Sequence, residues 1–414
     1  MWGRECFFGR VEDANFKKVL AEYYKLCYNN YYSDTKKGVF MNPLIKWPGG
    51  KSGEIDKIKP YIPTFNRYVE PFFGGGALFF YLKPKNAAIN DISSSLIEYY
   101  SLIKEQDKQL YNLLLCYSES FANLLRVCSD NYDEILNIYH SLENSEITKE
   151  ELQHLLIDFT STLSEKINSG FSEKLLLDDE KFYLHLVRMG SDKMQRTLKN
   201  NQKKPFSEND MKDNLLTGFA SGYYMYFRDV FNDINLGRIE TPSIQYKAAN
   251  FYFMREYCYG SMFRYNAKGE FNIPYGGISY NTKNFKSKIK NMFNEEVETL
   301  FKNTDIHCSD FEDFLKKSNI TENDFMFLDP PYDTDFSDYE GRDFTKFDQE
   351  RLACVLEKTL AKFILVIKNT DFVFDLYKDS FNILSFDNKY TYNVRSRNER
   401  DVEHLLITNL PVNR

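Results

Sequence analysis

Apolar residues fall along this chain in two textures. Over 41–103 and 300–414 they form short runs bounded by glycine, proline and asparagine, whereas over 104–240 they recur at helical spacing, as at Leu110, Leu113, Leu114 and Tyr117. The first texture predicts strands alternating with helices. Arg67–Glu70 reads as a short strand running into Gly74, Gly75 and Gly76, after which Ala77, Leu78, Phe79 and Phe80 open a helix. Ala87–Asp91 reads as the next strand and 93–103 as the next helix. Later, 325–328 and 363–367 predict two more strands, and 381–386 with 404–408 predict an antiparallel pair at a sheet edge. Residues 250–282, rich in Gly, Asn and Tyr, predict loops or a hairpin, and 1–40 an extension with a helical stretch at 13–27. The whole is the pattern of a layered α/β domain interrupted by a largely helical insertion.

At 414 residues the chain exceeds one ordinary domain, so two or three folded units are expected. Aromatic residues reach 16%, chiefly as 36 Phe and 30 Tyr, which first of all fill a core, although exposed rings of these types also stack on bases. A net charge of −7 disfavours nucleic acid unless cations gather on one face, and 193–204 and 283–290 are the basic stretches available for that. The seven cysteines form no Cys-x-x-Cys pair and the five histidines lie far apart, so neither a metal nor a disulfide framework is expected. No apolar run approaches the roughly 18 residues of a membrane span. The first residues carry Glu5, Glu12 and Asp13 rather than a signal-peptide core, which makes a reducing cytoplasm the expected compartment.

Three clusters carry candidate chemistry. In Val69, Glu70, Pro71, Phe72, Phe73, Gly74, Gly75 and Gly76 a strand turns into a helix, and the missing Cβ atoms let backbone approach a ligand closely. Asp91, followed by Ile92, closes the next strand at about the interval where nucleotide-binding folds set an acid against a ribose hydroxyl. Together they suggest an adenosine-containing cofactor, although a tight turn explains the glycines equally well. The second cluster, Lys46, Trp47, Pro48, Gly49, Gly50, Lys51 and Ser52, contains Gly-Lys-Ser, yet a phosphate loop needs glycine where Ile45 stands. What survives is a glycine turn bracketed by an indole and two cations, suited to a carboxylate beside a π-face; an ordinary exposed turn is the plainer alternative.

The sharpest signal is Asp329, Pro330, Pro331 and Tyr332, directly after the apolar run 325–328. An exocyclic amine on a base is a poor nucleophile because its lone pair is delocalised into the ring. If the Asp329 carboxylate accepts one N–H and the Pro330 carbonyl the other, the nitrogen is biased toward pyramidal geometry and its lone pair is aimed. Two prolines fix their own φ and hold those acceptors ready before the substrate arrives. Tyr332 can stack on an extruded base. The chain has no Pro-Cys dipeptide, so it offers no thiolate of the kind that attacks a cytosine ring carbon.

In this order the motifs resemble the Dam-type, D12-class DNA adenine-N6 methyltransferases, over 42–91 and 255–409, about half of the chain. The resemblance implies an α/β fold: a Rossmann-like sheet of the methyltransferases that use S-adenosylmethionine (SAM), with an inserted, largely helical target-recognition domain. It implies Trp47, Lys51, Glu70, Pro71, Phe72, Gly74, Gly76, Asp91, Ile92, Asp310, Phe311 and Asp329 as cofactor contacts, and Asp329, Pro330, Pro331 and Tyr332 as the catalytic motif. The segment 263–276 is similar to the family's DNA-contacting hairpin, with Arg264, Tyr265, Asn266, Lys268 and Tyr275 toward double-stranded DNA; Arg, Asn and Lys on a glycine turn suit phosphates and base edges. It hints at a GA-containing, GATC-like target, and a cognate restriction endonuclease is a candidate partner.

The expected organisation is an extension at 1–40, a catalytic domain split between 41–103 and 300–414, and a helical and target-recognition region at 104–299 with its hairpin at 255–282. Neither the extension nor the helical stretch 104–240 has a counterpart that the resemblance supplies. Two rival readings stay open: methylation of cytosine N4 by a similar amine-activating geometry, and a catalytically silent SAM- or nucleic-acid-binding protein. Intact Asp329 and Tyr332 argue against the second.

Overall fold

Strands β1 (Arg67–Glu70), β2 (Ala87–Asp91), β3 (Thr304–Cys308), β4 (Asp324–Leu328), β5 (Lys362–Lys368), β6 (Asn382–Lys389) and β7 (Asp401–Thr408) build one sheet in the order β3-β2-β1-β4-β5-β7-β6. This computed structural model describes residues 41–262, 264–331, 344–389 and 401–412. The extension 1–40, Phe263 and Tyr332 therefore lie outside the described residues. From Pro43 onward the chain gathers in one compact unit.

β1 to β5 run parallel, and β7 alone is reversed, pairing antiparallel with β5 and β6. Every residue of β2 and β4 is buried, as expected of parallel strands covered on both faces, which is why 87–89 and 325–328 read as apolar stretches. The late antiparallel pair is present, with one correction: only β6 lies at the edge, and β7 inserts between β5 and β6 with Leu405, Leu406 and Ile407 buried. The opposite edge is β3, which the apolar pattern misses because most of its residues face solvent or lie half-buried. From β1 the chain steps to β2 on one side, whereas β4 flanks β1 on the other, so a crevice opens at their carboxyl ends.

Between β2 and β3 the described residues form helices and loops without a named strand. The long helices Lys108–Asp130, Asp179–Asn201 and Glu208–Asn235 start where Asp107, Asp178 and Ser207 accept a hydrogen bond from first-turn backbone, the usual remedy for orphan N–H groups. Their core absorbs much of the aromatic excess: Tyr117 stacks on Phe253 with ring centroids 4.7 Å apart, and Tyr223 packs on Phe227 at 4.8 Å. Helix Ile244–Tyr257 runs into the stretch expected to be loop. It is buried at every position from Ala248 to Tyr257, so it shows no helical period to read. This helix also reaches the N-terminal motif, through the Tyr252 hydroxyl to the Leu44 carbonyl (3.1 Å) and Arg255 to the Lys46 carbonyl (2.8 Å). Among the described residues no helix is long and apolar enough to cross a membrane, and no three His, Cys, Asp or Glu side chains group to hold a metal.

Asn90 fastens the carboxyl ends of three strands. Its Nδ2 donates to the Pro71 carbonyl (3.0 Å) beyond β1 and the Ser309 carbonyl (2.9 Å) beyond β3, and its Oδ1 accepts from the Ser309 N–H (3.0 Å). Its side chain is buried, so removing it strands those carbonyls away from water. Asn90→Ala is expected to lower the unfolding free energy by about 1–3 kcal/mol, measured by chemical denaturation.

Candidate active site

The crevice at the heads of β1, β2 and β4 is a cavity walled by the turn at 47–51, the loop 70–77, residues 90–93, residues 309–311, Asp329 to Pro331, Phe344 and Asp348. All the residues expected as cofactor contacts, Trp47, Lys51, Glu70, Pro71, Phe72, Gly74, Gly76, Asp91, Ile92, Asp310, Phe311 and Asp329, line this one space, together with Pro330 and Pro331.

The glycine loop is shaped by what it must avoid. Gly74 adopts φ +49°, and a Cβ there would stand 2.7 Å from Trp47 Cδ1; Gly76 adopts φ +65°, and its Cβ would stand 2.5 Å from Phe73 Cζ. Only glycine combines those left-handed angles with such close rings. The Trp47 indole therefore lies against the loop backbone, with the Arg255 guanidinium 5.3 Å from its centroid on a cation–π contact. Asp91 holds the loop from below: its two carboxylate oxygens accept the Gly74 N–H (2.8 Å) and the Ser93 N–H (2.9 Å). Burial raises the Asp91 carboxyl above its ordinary range, and those N–H groups pull the other way.

Asp329 stands at the end of β4 in ion-pair contact with Lys51 Nζ at 2.6 Å. The Lys51 side chain is only 2% exposed and that of Asp329 19%, its open part belonging to the cavity wall. Burial raises the Asp329 carboxyl and Lys51 draws it down. Beside them Glu70 accepts the Tyr68 hydroxyl at 2.8 Å, and burial holds its carboxyl well above the usual range. On the far side the rings of Phe72, Phe311 and Phe344 meet at centroid distances of 5.3, 5.6 and 5.8 Å and make an apolar wall. Asp310 also lines the cavity, yet its carboxylate is engaged elsewhere: it caps helix Phe311–Lys317 and pairs with Arg351 at 2.6 Å. Arg351 also binds Asp348 (2.8 Å) and Glu312 (2.9 Å) and lies over Phe311, so it straps two cavity walls together.

The expected DNA hairpin is a small antiparallel ladder. Tyr265 bridges Phe271, and Asn266 organises the turn by accepting from the Lys268 and Glu270 N–H groups. Arg264 and Lys268 are exposed there. Tyr275 is a correction: it is 7% exposed, stacks on Tyr257 and donates to Asn281, so it belongs to the aromatic core. In the basic stretch 283–290, Lys286 pairs with Glu119 and Lys288 with the buried Glu256. Phe344, Arg351, Arg255 and Asn90 were not singled out from the sequence. No motif marks them; Arg255 alone had a signal, a charge inside a buried helix.

Comparison with known proteins agrees with this geometry. Residues 47–168 and 191–392 match the family described as D12 class N6 adenine-specific DNA methyltransferase. The match covers much of 104–240, where the sequence reading supplies no counterpart. The chain is 26% identical over 373 residues to the Type II methyltransferase M.CviBI of Paramecium bursaria Chlorella virus NC1A, covering 89% of this chain and 100% of that protein. It is 28% identical over 386 residues to the Type II methyltransferase M.MjaIII of Methanocaldococcus jannaschii, with 89% and 99% covered. To the DNA adenine methylase of Vibrio cholerae serotype O1 it is 24% identical over 368 residues, with 86% and 93% covered.

Gly74→Ala forces either the backbone or the indole to move. It is expected to cost about 1–3 kcal/mol of stability, read as a lower melting temperature, and to shift Trp47 emission in a Trp2→Phe background.

Proposed function

The chain belongs to the D12 class of N6 adenine-specific DNA methyltransferases, and from that premise we propose that SAM is the methyl donor, held in this cavity, and that Asp329 and Pro330 grip the target amine. One observation carries the reading: the Asp329 carboxylate, paired with Lys51, borders the same cavity as Trp47 and Asp91.

The residues fit such a donor. Glu70, Asp91 and Asp329 give the cavity an acidic lining suited to a sulfonium, an ammonium and ribose hydroxyls, while Phe72, Phe311 and Phe344 offer an apolar wall suited to an adenine ring. The positive-φ glycines allow the backbone of the loop to come close to the ligand. SAM, when bound, supplies a methyl group on a positively charged sulfur, so a direct displacement needs no covalent enzyme intermediate.

The protein's own part is positioning and charge. Asp329 must be ionised to accept an N–H of the adenine amine, and Lys51 keeps it so against burial. The Pro330 carbonyl takes the other N–H, and the Gln349 amide donates to the next carbonyl, Pro331, at 3.4 Å to steady the turn. By the family resemblance Tyr332 stacks on the base. Drawing a base out of the duplex costs a few kcal/mol, and Arg264 and Lys268 on the hairpin contribute phosphate contacts against that cost. In this proposal the catalytic domain is 41–103 with 300–414, and 104–299 serves target recognition.

Asp329→Ala is expected to cut methyl incorporation from labelled SAM into DNA by at least about a hundredfold with the melting temperature preserved; retained activity sinks the assignment, and nucleoside mass analysis should read N6-methyladenine. Lys51→Met tests the charge. With Lys51 gone, burial and Glu54 still raise the Asp329 carboxyl, so the ionised form is lost at a higher pH than in the parent. The acid limb of the kcat profile is therefore expected to move to higher pH, measured at saturating DNA and SAM.

A further inference from the structure

One pair of buried ionisable side chains lies outside the cavity lining, and the scheme above uses only the charge of one member. A Glu54 carboxylate oxygen and His404 Nδ1 meet at 2.9 Å, with side chains 6% and 0% exposed, across 350 positions of sequence. Burying a carboxylate beside an imidazole is costly unless each satisfies the other, so the pair is held by the fold rather than left over from it.

Its place explains what it holds. Glu54 closes the turn Lys51–Gly53, its N–H donating to the Lys51 carbonyl at 2.8 Å. His404 lies on β7 opposite Lys368, at the carboxyl end of β5, and β5 borders the strand that ends in Asp329. One partner therefore belongs to the turn that carries Lys51 and the other to the sheet that carries Asp329. On its outer side His404 meets the ring of Phe386 at 5.9 Å, over which Lys57 sits. Among the described residues, the ionisable groups that act on Asp329 include Lys51 and Glu54 from the turn, His404 from β7, and Tyr68 and Glu70 from β1. Within that set Glu54 opposes ionisation of Asp329 and His404 favours it.

We propose that Glu54 and His404 are positioning residues for methyl transfer: their contact clamps the Lys51 turn to the sheet and balances the charge behind Asp329. The proposal rests on the assignment of Asp329 to the amine. In His404→Leu, Glu54 is left buried without its imidazole, close to Asp329. The acid limb of the kcat profile then moves to higher pH, with about a tenfold lower rate on that limb for a displacement of one pH unit. His404→Gln, whose amide can donate to Glu54, recovers part of the rate. Glu54→Gln removes the opposing charge and moves the limb to lower pH.

The measurement is methyl incorporation against pH at saturating DNA and SAM, with a thermal melt of each variant. If His404→Leu fails to fold, Glu54→Gln decides alone. A limb that stays at its parental pH in the folded variants overturns the proposal, even where kcat falls, because a merely structural pair would lower the rate without moving it. Activity surviving in Asp329→Ala would instead overturn the parent assignment, and that result is read in a different variant.

Discussion

A carboxylate paired with one ammonium while largely removed from water is the constraint around which this site is arranged. Asp329 lies at the end of a fully buried strand, where the surrounding hydrocarbon favours its neutral form. A single ammonium at 2.6 Å from Lys51 opposes that tendency. Lys51 can do so only because a short turn, distant in sequence, is pinned over the sheet. Tyr252 and Arg255, from one helix, hold the backbone just before the turn, and His404, from β7, holds Glu54 just after it. Charge at the reactive group is thus purchased with tertiary structure.

The cavity follows the same logic of mutual exclusion. The indole of Trp47 occupies the room that Gly74 and Gly75 leave, and the ring of Phe73 that left by Gly76. Asp91 fixes the loop by accepting two backbone N–H groups, and Asn90 beside it ties the neighbouring strand ends. Two adjacent residues of one strand therefore shape the floor of the site, one with its charge and one with its amide. Interiors packed this closely transmit small displacements, so a change at the floor is felt at the head of β4.

What could be read in the sequence was what depends on local chemistry. The strands β4 and β5 carry apolar runs and β1 and β2 short apolar stretches beside turn signals, the glycine loop and Asp-Pro-Pro-Tyr are contiguous, and helix starts carry their own caps. What escaped was what only tertiary packing supplies. β3 is an edge strand with few buried residues, helix Ile244–Tyr257 is buried at every position from Ala248 on and shows no amphipathic face there, and Phe344 in the cavity wall and Arg351 behind it come from a segment that bears no motif. Tyr275 misled for a related reason: its type suits a base, but the aromatic core took it. In the basic stretch 283–290, Lys286 and Lys288 each pair with an acid of the protein, which no charge run announces.

For a chain that acts on a polyanion, where the charge sits matters more than the net −7. Asp329, Asp324, Asp310 and Glu98 pair internally with Lys51, Arg67, Arg351 and Lys247, and Glu70 and Asp91 line the cavity. Such pairs remove a cation with each anion, so they leave the net charge unchanged and contribute little field at a distance. On the proposed DNA hairpin Arg264 and Lys268 are exposed, on a turn that Asn266 organises by accepting two backbone N–H groups. Phosphate contacts set the register, and rigidity lowers the ordering cost of making them. The same economy governs the cavity and the hairpin: polar groups are fixed in place by the fold beforehand, so a ligand at either has less left to organise.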